Sequence, residues 1–171
     1  MDFSKIKDDF ASEINRAAEA YLAGQVQIAT SADQRASVMA SVFAAAGAAL
    51  IAGTITIAAS GDTPTSVKLG GLVAGVLFLV GAAFCVKATM PVLFWLPGAE
   101  PNSWKADVEK GSELKGCLGE QASFLQERID KNDVIIGRNA WWFKWGARIG
   151  IASPLVGLVF WSLPYACTLL S

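Results

Sequence analysis

Histidine is absent from this 171-residue sequence, and charged residues make up only 17% of it. The missing imidazole removes the commonest metal ligand and the commonest general base. The three cysteines, Cys85, Cys117 and Cys167, lie in separate segments and offer no pair positioned for a disulfide or a metal site. No glycine-rich segment ends in the Gly-Lys-Ser/Thr of a phosphate-binding loop. We therefore expect no enzymatic activity and no cofactor, and the net charge of −1 gives no sign of a nucleic-acid partner.

Charge is also missing from three long runs, residues 38–60, 69–86 and 149–171, in a chain that is 53% hydrophobic. Each run has about the 17 to 25 residues that cross the hydrocarbon core of a bilayer as a helix. The runs are continuously apolar and do not alternate, which favours helices over the strands of a membrane barrel. The sequence therefore predicts an all-α integral membrane protein with three transmembrane helices and long cytoplasmic amphipathic helices.

The distribution of lysine and arginine predicts the orientation. No cleavable secretory signal is recognisable in the first 35 residues, so the first span is expected to act as its own insertion signal. Four basic residues precede that span and eight lie between the second and third spans, whereas Lys68 alone lies between the first two. By the positive-inside rule, the N-terminus and residues 97–145 are cytoplasmic and the C-terminus is outside.

Four segments follow from these runs. They are a cytoplasmic amphipathic helix at 1–36, a transmembrane hairpin at 37–96 with spans at about 38–60 and 69–90, a cytoplasmic linker and helix at 97–145, and a third transmembrane helix at 146–171. Nothing between Thr30 and Val38 resembles a helix stop, so the first helix is predicted to continue into the first span.

Each cytoplasmic helix carries an apolar stripe with spacings typical of one helix face. The first stripe comprises Phe3, Ile6, Phe10, Ile14, Ala17, Tyr21, Gly24 and Ile28. The second follows a helix start near Ser112 and comprises Leu114, Leu118, Leu125, Ile129 and Ile136, with Gln121 and Asn132 on the same face. We expect the two helices to lie side by side with the same polarity, and their stripes to face each other or those of other subunits. Gln121 and Asn132 then either fix the register of a bundle or face water.

Lys87 has two interpretations, because it ends one uncharged run and precedes another. If the second span ends near Lys87, its side chain extends to the cytoplasmic headgroups. If Met90 to Trp95 remain inserted, Lys87 is an intramembrane charge and a functional site. Pro91 is compatible with either. At the start of the third span, Trp141, Trp142 and Trp145 are predicted anchors at the membrane interface.

Small residues recur at every fourth position in the predicted spans. The candidate packing positions are Ala40, Ala44 and Ala48 in the first span, Gly71 and Gly75 in the second, and Gly146 and Gly150 in the third. Such ridges let helix backbones approach closely. They serve either packing within one chain or an oligomer seam.

Three features together resemble small bacterial membrane effectors of anti-phage defence. These are Ala-Asp-Gln-Arg-Ala at 32–36, the tight two-span hairpin, and Leu-Gln-Glu-Arg-Ile-Asp-Lys-Asn-Asp at 125–133 before the third span. The likeness is greatest to the transmembrane effectors of cyclic-pyrimidine (Pycsar) signalling and looser to the SMODS/SLOG-associating two-helix effectors. The resemblance implies a homo-oligomer of the inner membrane that disrupts it when a nucleotide second messenger or an infection cue arrives.

The resemblance also suggests gating or pore-mouth roles for Asp33, Arg35, Arg128 and Asn132. Lys87 is a fifth candidate, since it would be a functional site if it lay within the membrane. Asp33 and Arg35 are equally explained as ordinary solvated residues beside a span. No separate ligand-binding domain is recognisable, so sensing would fall to the cytoplasmic helices or to a cytoplasmic sensor protein. Two alternatives remain open: a holin-like or toxin-like permeabiliser, and a non-conducting scaffold that docks a cytoplasmic partner.

Overall fold

The computed structural model describes residues 8–59, 61 and 63–169, and side chains from residue 9 to residue 162 within these ranges. This part of the chain contains helices and no strand, which confirms the predicted all-α class. The helices are α1 (Asp8–Ala59), α2 (Thr65–Ala88), a 3-10 turn (Pro101–Trp104), α3 (Lys105–Lys110) and α4 (Leu114–Leu169). Phe3, Ile6 and the Cys167 side chain lie outside the described residues.

Among the described residues, two helices, α1 and α2, are long and apolar enough to cross a membrane. As predicted, α1 continues without a break from the amphipathic segment through the first apolar run. In α2 the helix begins at Thr65, four residues before the predicted span, and ends at Ala88. The predicted third span at 146–171 extends past the residues whose side chains are described.

Local signals account for the ends of the shorter elements. At the α1–α2 turn, Gly61 has a φ of 85°, and the Lys68 ammonium donates to the Ala58 carbonyl, 3.4 Å away. At the end of α3, Gly111 has a φ of 65°, its N–H donates to the Val108 carbonyl, and the Ser112 N–H donates to the Asp107 carbonyl. A left-handed glycine with this pair of bonds is the usual way to satisfy the last carbonyls of a helix.

Contacts divide the chain into two units, which draw residues from both long helices. Unit 1 comprises Met1–Ser31 and Pro91–Gly137, and unit 2 comprises Ala32–Met90 and Arg138–Ser171. In unit 1, α1 and α4 run in the same direction, as predicted, since hydrogen bonds join Asn15 to Leu118 and Gln25 to Ile129.

The face of α1 that packs on α4 differs from the predicted one. Its residues are Ala11, Asn15, Ala18, Leu22 and Gln25, each one position after a member of the predicted stripe. Leu22 packs against Leu125 and Ile129 of α4 and is fully buried. The described members of the predicted stripe are instead mostly exposed: Phe10 is 60% and Ile28 57% exposed, while Ile14 and Gly24 are half-buried. Within the chain, the predicted α1 stripe therefore does not face α4, although the middle of the predicted α4 stripe does face α1. The alternative that the α1 stripe faces other subunits stays a prediction.

In unit 2, α1, α2 and α4 pack through glycines. A Cβ built on Gly47 would lie 2.8 Å from the Gly75 carbonyl oxygen, and one on Gly81 would lie 3.0 Å from the Gly146 carbonyl oxygen. Further along α2, a Cβ on Gly70 would lie 2.9 Å from the Gly157 carbonyl oxygen. At these points the helices approach backbone to backbone, so a side chain at any of these glycines would require the helices to shift.

The candidate packing residues mostly lie at these contacts within the chain. Gly75 and Gly146 lie at the glycine contacts, Gly71 lies against the Thr54 side chain, and Gly150 against the Phe43 ring. Ala40 is buried in a cluster with Phe43, Ala82 and Cys85, Ala44 packs on that cluster, and Ala48 is exposed.

Candidate functional site

Asn132 is the most completely buried polar residue of unit 1, with 0% of its surface exposed. Its Oδ1 accepts from the Trp95 N–H at 3.0 Å, and its Nδ2 donates to the Trp95 carbonyl at 2.9 Å. The Asn132 amide therefore pairs with the Trp95 backbone as a neighbouring strand would. Because a buried backbone group needs a partner, this pairing holds the non-helical segment after Pro91 against α4.

A second amide, Gln25 of α1, completes the buried polar group. Asn132 Nδ2 also donates to Gln25 Oε1 at 3.3 Å, and Gln25 Nε2 donates to Asp133 Oδ1 at 2.7 Å and to the Ile129 carbonyl at 3.2 Å. Polar contacts of this kind in an apolar seam fix which residues of two helices lie opposite each other. For Asn132, the structure favours the register interpretation over the solvent-facing one.

Arg128 lies one turn before Asn132 and binds the same segment. Its Nη1 donates to the Gly98 carbonyl at 2.7 Å and makes a longer contact, 3.5 Å, with the Leu96 carbonyl. Nearby, the Lys131 ammonium lies 5.0 Å from the centre of the Trp95 ring and 2.6 Å from Glu127 Oε1. The structure thus brings together two candidate residues, Arg128 and Asn132, which both form hydrogen bonds with the backbone of residues 95–98.

Nearer the N-terminus of α1, Asn15 is also buried where α1 packs on α4, and only one of its two amide atoms is hydrogen-bonded. Its Nδ2 donates to the Ala11 carbonyl at 3.0 Å and to the Leu118 carbonyl at 2.9 Å. Its Oδ1 has no hydrogen-bond partner. Gln121, whose Nε2 lies 3.5 Å from Glu19 Oε1, is half-buried at the edge of this seam.

The other gating candidates lie at exposed positions of unit 2. Asp33 and Arg35 are exposed on α1. Lys87 is exposed in the last turn of α2, and its Nζ lies 3.2 Å from the Met90 sulfur. Because α2 ends at Ala88 and residues 91–96 are not helical, the structure favours a span that ends near Lys87. A pore-mouth role for these three residues stays a prediction.

The tryptophan cluster is partly packed inside unit 2. Trp142 meets Phe84 of α2 edge-on, with ring centres 5.2 Å apart. Trp141 is 51% exposed, and Trp145 is 40% exposed with the Arg148 guanidinium 5.3 Å from its ring centre. Trp141 and Trp145 have the exposure expected of interface anchors, whereas Trp142 serves packing between helices.

Sequence reasoning missed Gln25, Asn15 and the Trp95 backbone. A signal for the first two was present, because Ala11, Asn15, Ala18, Leu22 and Gln25 recur at alternating spacings of four and three. Two amides in that series lowered its apparent hydrophobicity below that of the neighbouring stripe. No local signal indicated Trp95, whose role depends on how the segment after Pro91 meets α4.

Cys117 of α4 is a half-buried free thiol whose pKa is raised by burial and, to a smaller extent, by the charges of Asp107 and Glu120. The thiolate is the reactive form, so a raised pKa lowers the alkylation rate near neutral pH. Asp107→Asn removes one negative charge and is expected to speed alkylation of Cys117 by about twofold at about pH 8. The acceleration should vanish well above the thiol pKa, where both proteins are fully deprotonated.

The measurement is peptide-resolved mass spectrometry after timed alkylation of the full chain in detergent. Glu109→Gln is the matched control, because Glu109 is an exposed acid of α3 that pairs with Lys105 at 3.8 Å. An acceleration that persists at high pH would show that the substitution changes access to the thiol and not its pKa.

No protein-family model matches this chain, and no curated protein or solved structure is significantly similar to it. The resemblance to anti-phage membrane effectors therefore stays a prediction.

Proposed function

We propose that this protein is an oligomeric membrane effector, whose copies assemble through the outward-facing stripe of α1 and whose assembled spans permeabilise the membrane. The observation that carries the proposal is the exposure of that stripe on a helix that also contains a membrane-length apolar run. The third span at 146–171 is part of the proposal. The proposal also places residues 1–36 and 97–145 in the cytoplasm and the C-terminus outside.

The membrane part is supported by what the apolar helices leave uncovered. Only 11% of the apolar window in α1 and 33% of that in α2 are buried within the protein. A core helix of a soluble protein would be mostly covered, whereas lipid accepts exposed apolar side chains. Large apolar residues that remain exposed in unit 2 include Val38, Val42, Ile55, Ile151, Leu155 and Val159.

The oligomer part is supported by the spacing of the exposed stripe. Phe10, Ile14, Ala17, Tyr21, Gly24 and Ile28 follow alternating steps of four and three, which is the repeat of a coiled-coil seam. The adjacent face of α1 is already covered by α4. One helix with two neighbouring seams suits a bundle in which α1 contacts the α1 helices of other copies on one side and its own α4 on the other.

Assembly would also meet a geometric need. Three spans of a single chain cannot surround a water path, so permeabilisation by this protein requires several copies. In the proposal the membrane is the bacterial inner membrane and the trigger is an infection cue, as the resemblance implies.

The test is the protein mass of the detergent-extracted complex, corrected for bound detergent. We expect a closed oligomer for the natural chain and a monomer for Tyr21→Glu/Ile28→Glu, because two carboxylates per copy would face each other in the apolar seam. Ala23→Glu/Thr30→Glu is the matched control. It adds the same charge at the same seven-residue spacing on a face that is exposed and belongs to neither seam.

Dye release from vesicles that contain each protein at equal density tests permeabilisation. The natural chain and the control should release dye, and the seam variant should not. A natural chain that is monomeric in detergent and does not release dye would remove the pore and leave the non-conducting scaffold. Release by a monomeric seam variant would show that the stripe has another role.

A further inference from the structure

Unit 1 contains a pocket of about 280 Å³, whose lining includes Gly98 and Arg128 but neither Asn132 nor Gln25. One wall is formed by the segment from Gly98 to Asp107, and the other by α4 from Cys117 to Arg128. The volume is close to the lower limit for sites that hold small organic molecules. The pocket is independent of the outward α1 stripe and of the membrane-length runs.

The side chains that line the pocket combine aromatic rings with acids. Trp104 and Phe124 supply apolar faces, and Asp107 and Glu120 supply carboxylates from opposite walls. The one basic residue in the lining, Arg128, donates to backbone carbonyls, with Nη1 2.7 Å from the Gly98 oxygen. Arg128 keeps its positive charge in these bonds, so the lining carries one positive and two negative charges, a net charge of −1.

Cys117 lines the same pocket as the two acids. After burial, the charges of Asp107 and Glu120 are the causes that raise its pKa. Both carboxylates are therefore close enough to act on one point of the lining. A negative potential at that point opposes an anionic ligand, which includes the phosphates of a nucleotide.

A bound metal ion would need a different arrangement. Among the described residues, no three His, Cys, Asp or Glu side chains come together as a candidate metal site. Two carboxylates that flank aromatic rings instead match the recognition of an organic ammonium. Its charge pairs with the acids while its body lies on the ring faces.

We propose that this pocket binds a small organic ammonium with an apolar or aromatic body, held between Asp107 and Glu120 and against Trp104 and Phe124. Such a ligand would join α3 to α4 and so strengthen the attachment of the segment that precedes α4. The proposal concerns binding alone and involves no chemical step.

Three probes of one shape and different charge test the assignment. Benzylammonium, benzyl alcohol and benzoate are titrated by calorimetry into the full chain in neutral maltoside micelles. Empty micelles correct for partitioning into detergent. We expect saturable binding of benzylammonium and at least about tenfold weaker binding of benzoate, because the charge interaction changes sign.

Variants locate the site. Asp107→Asn and Glu120→Gln should each weaken benzylammonium binding by about three- to tenfold. Glu109→Gln, an acid on α3 that does not line the pocket, should leave it within about twofold. Circular dichroism identifies a variant that has failed to fold, and either carboxylate variant suffices for the comparison.

Equal binding of benzoate and benzylammonium would overturn the proposal, as would benzylammonium binding that survives in both carboxylate variants. Absence of saturable benzylammonium binding would overturn it as well. None of these results depends on whether the chain forms oligomers or releases dye.

Discussion

Asn132→Ala is expected to destabilise unit 1 by about 2–4 kcal/mol, because the substitution removes three hydrogen bonds and leaves buried partners unpaired. The Trp95 N–H and carbonyl lose their contacts at 3.0 and 2.9 Å, and Gln25 Oε1 loses its contact at 3.3 Å. Unpaired buried polar groups cost more than the hydrogen bonds alone contribute, and a small cavity adds to the loss.

The most direct measurement is amide hydrogen exchange of the full chain in detergent. The Trp95 amide should exchange at least about 30-fold faster in Asn132→Ala, since about 2 kcal/mol of local stability corresponds to that factor. Gln126→Ala is the control. Gln126 is exposed on the same helix and has a local bond to Asp130 at 2.8 Å, so its replacement should leave Trp95 unchanged.

Asn132→Asp distinguishes the acceptor from the donor of the Asn132 amide. The carboxylate keeps an acceptor for the Trp95 N–H and loses the donor to the Trp95 carbonyl. At neutral pH we expect a larger loss than in Asn132→Ala, because a charge would then be buried beside two oxygen acceptors. Unchanged Trp95 exchange in both variants would contradict the role given to Asn132.

The helices could be predicted because their signals are local and repeated. Long uncharged runs and the absence of a stop between Thr30 and Val38 predicted the extent of α1, and the chain length after Pro97 allowed α4 to run parallel to α1. These features depend on composition and chain connectivity, which are present in the sequence itself.

The contacts between helices were harder to predict because α1 offers two seams one residue apart. The more apolar series, which includes Phe10 and Tyr21, is exposed, while the series that contains Asn15 and Gln25 packs on α4. Hydropathy ranks the two seams in the opposite order. The more polar seam is buried because its amides meet Asn132 and the carbonyls of α4 and Leu22 packs on apolar residues of α4, and those partners are about a hundred positions away in the sequence.

Gly146→Leu is expected to separate α4 from α2 in unit 2. A Cβ at Gly146 would lie 2.8 Å from the Cys85 sulfur, 2.9 Å from the Gly81 carbonyl oxygen and 3.0 Å from the Cys85 nitrogen. Two of these atoms belong to the backbone of α2, so they cannot rotate away as a side chain can. Overpacking of a well-filled site costs about 1–3 kcal/mol when side chains adjust, and we expect a cost at or above the upper limit here.

Cys85 provides the readout, because its side chain is fully buried beside Gly146 in the natural chain. Separation of the helices should raise the alkylation rate of Cys85 at least about tenfold in detergent, since access and not thiolate formation limits a buried thiol. Gly146→Ala should give a smaller increase in the same direction, because a single methyl group displaces the helices less.

Gly53→Leu is the matched control for the size and polarity of the change. Gly53 lies in the apolar run of α1, and a Cβ there would meet nothing within 4 Å. The control should leave Cys85 protected. If both leucine variants exposed Cys85 equally, the effect would come from added bulk in an apolar helix and the close contact at Gly146 would not be its cause. Protection retained in Gly146→Leu would contradict the prediction, because α4 would then accept a leucine against α2 without opening the contact that buries Cys85.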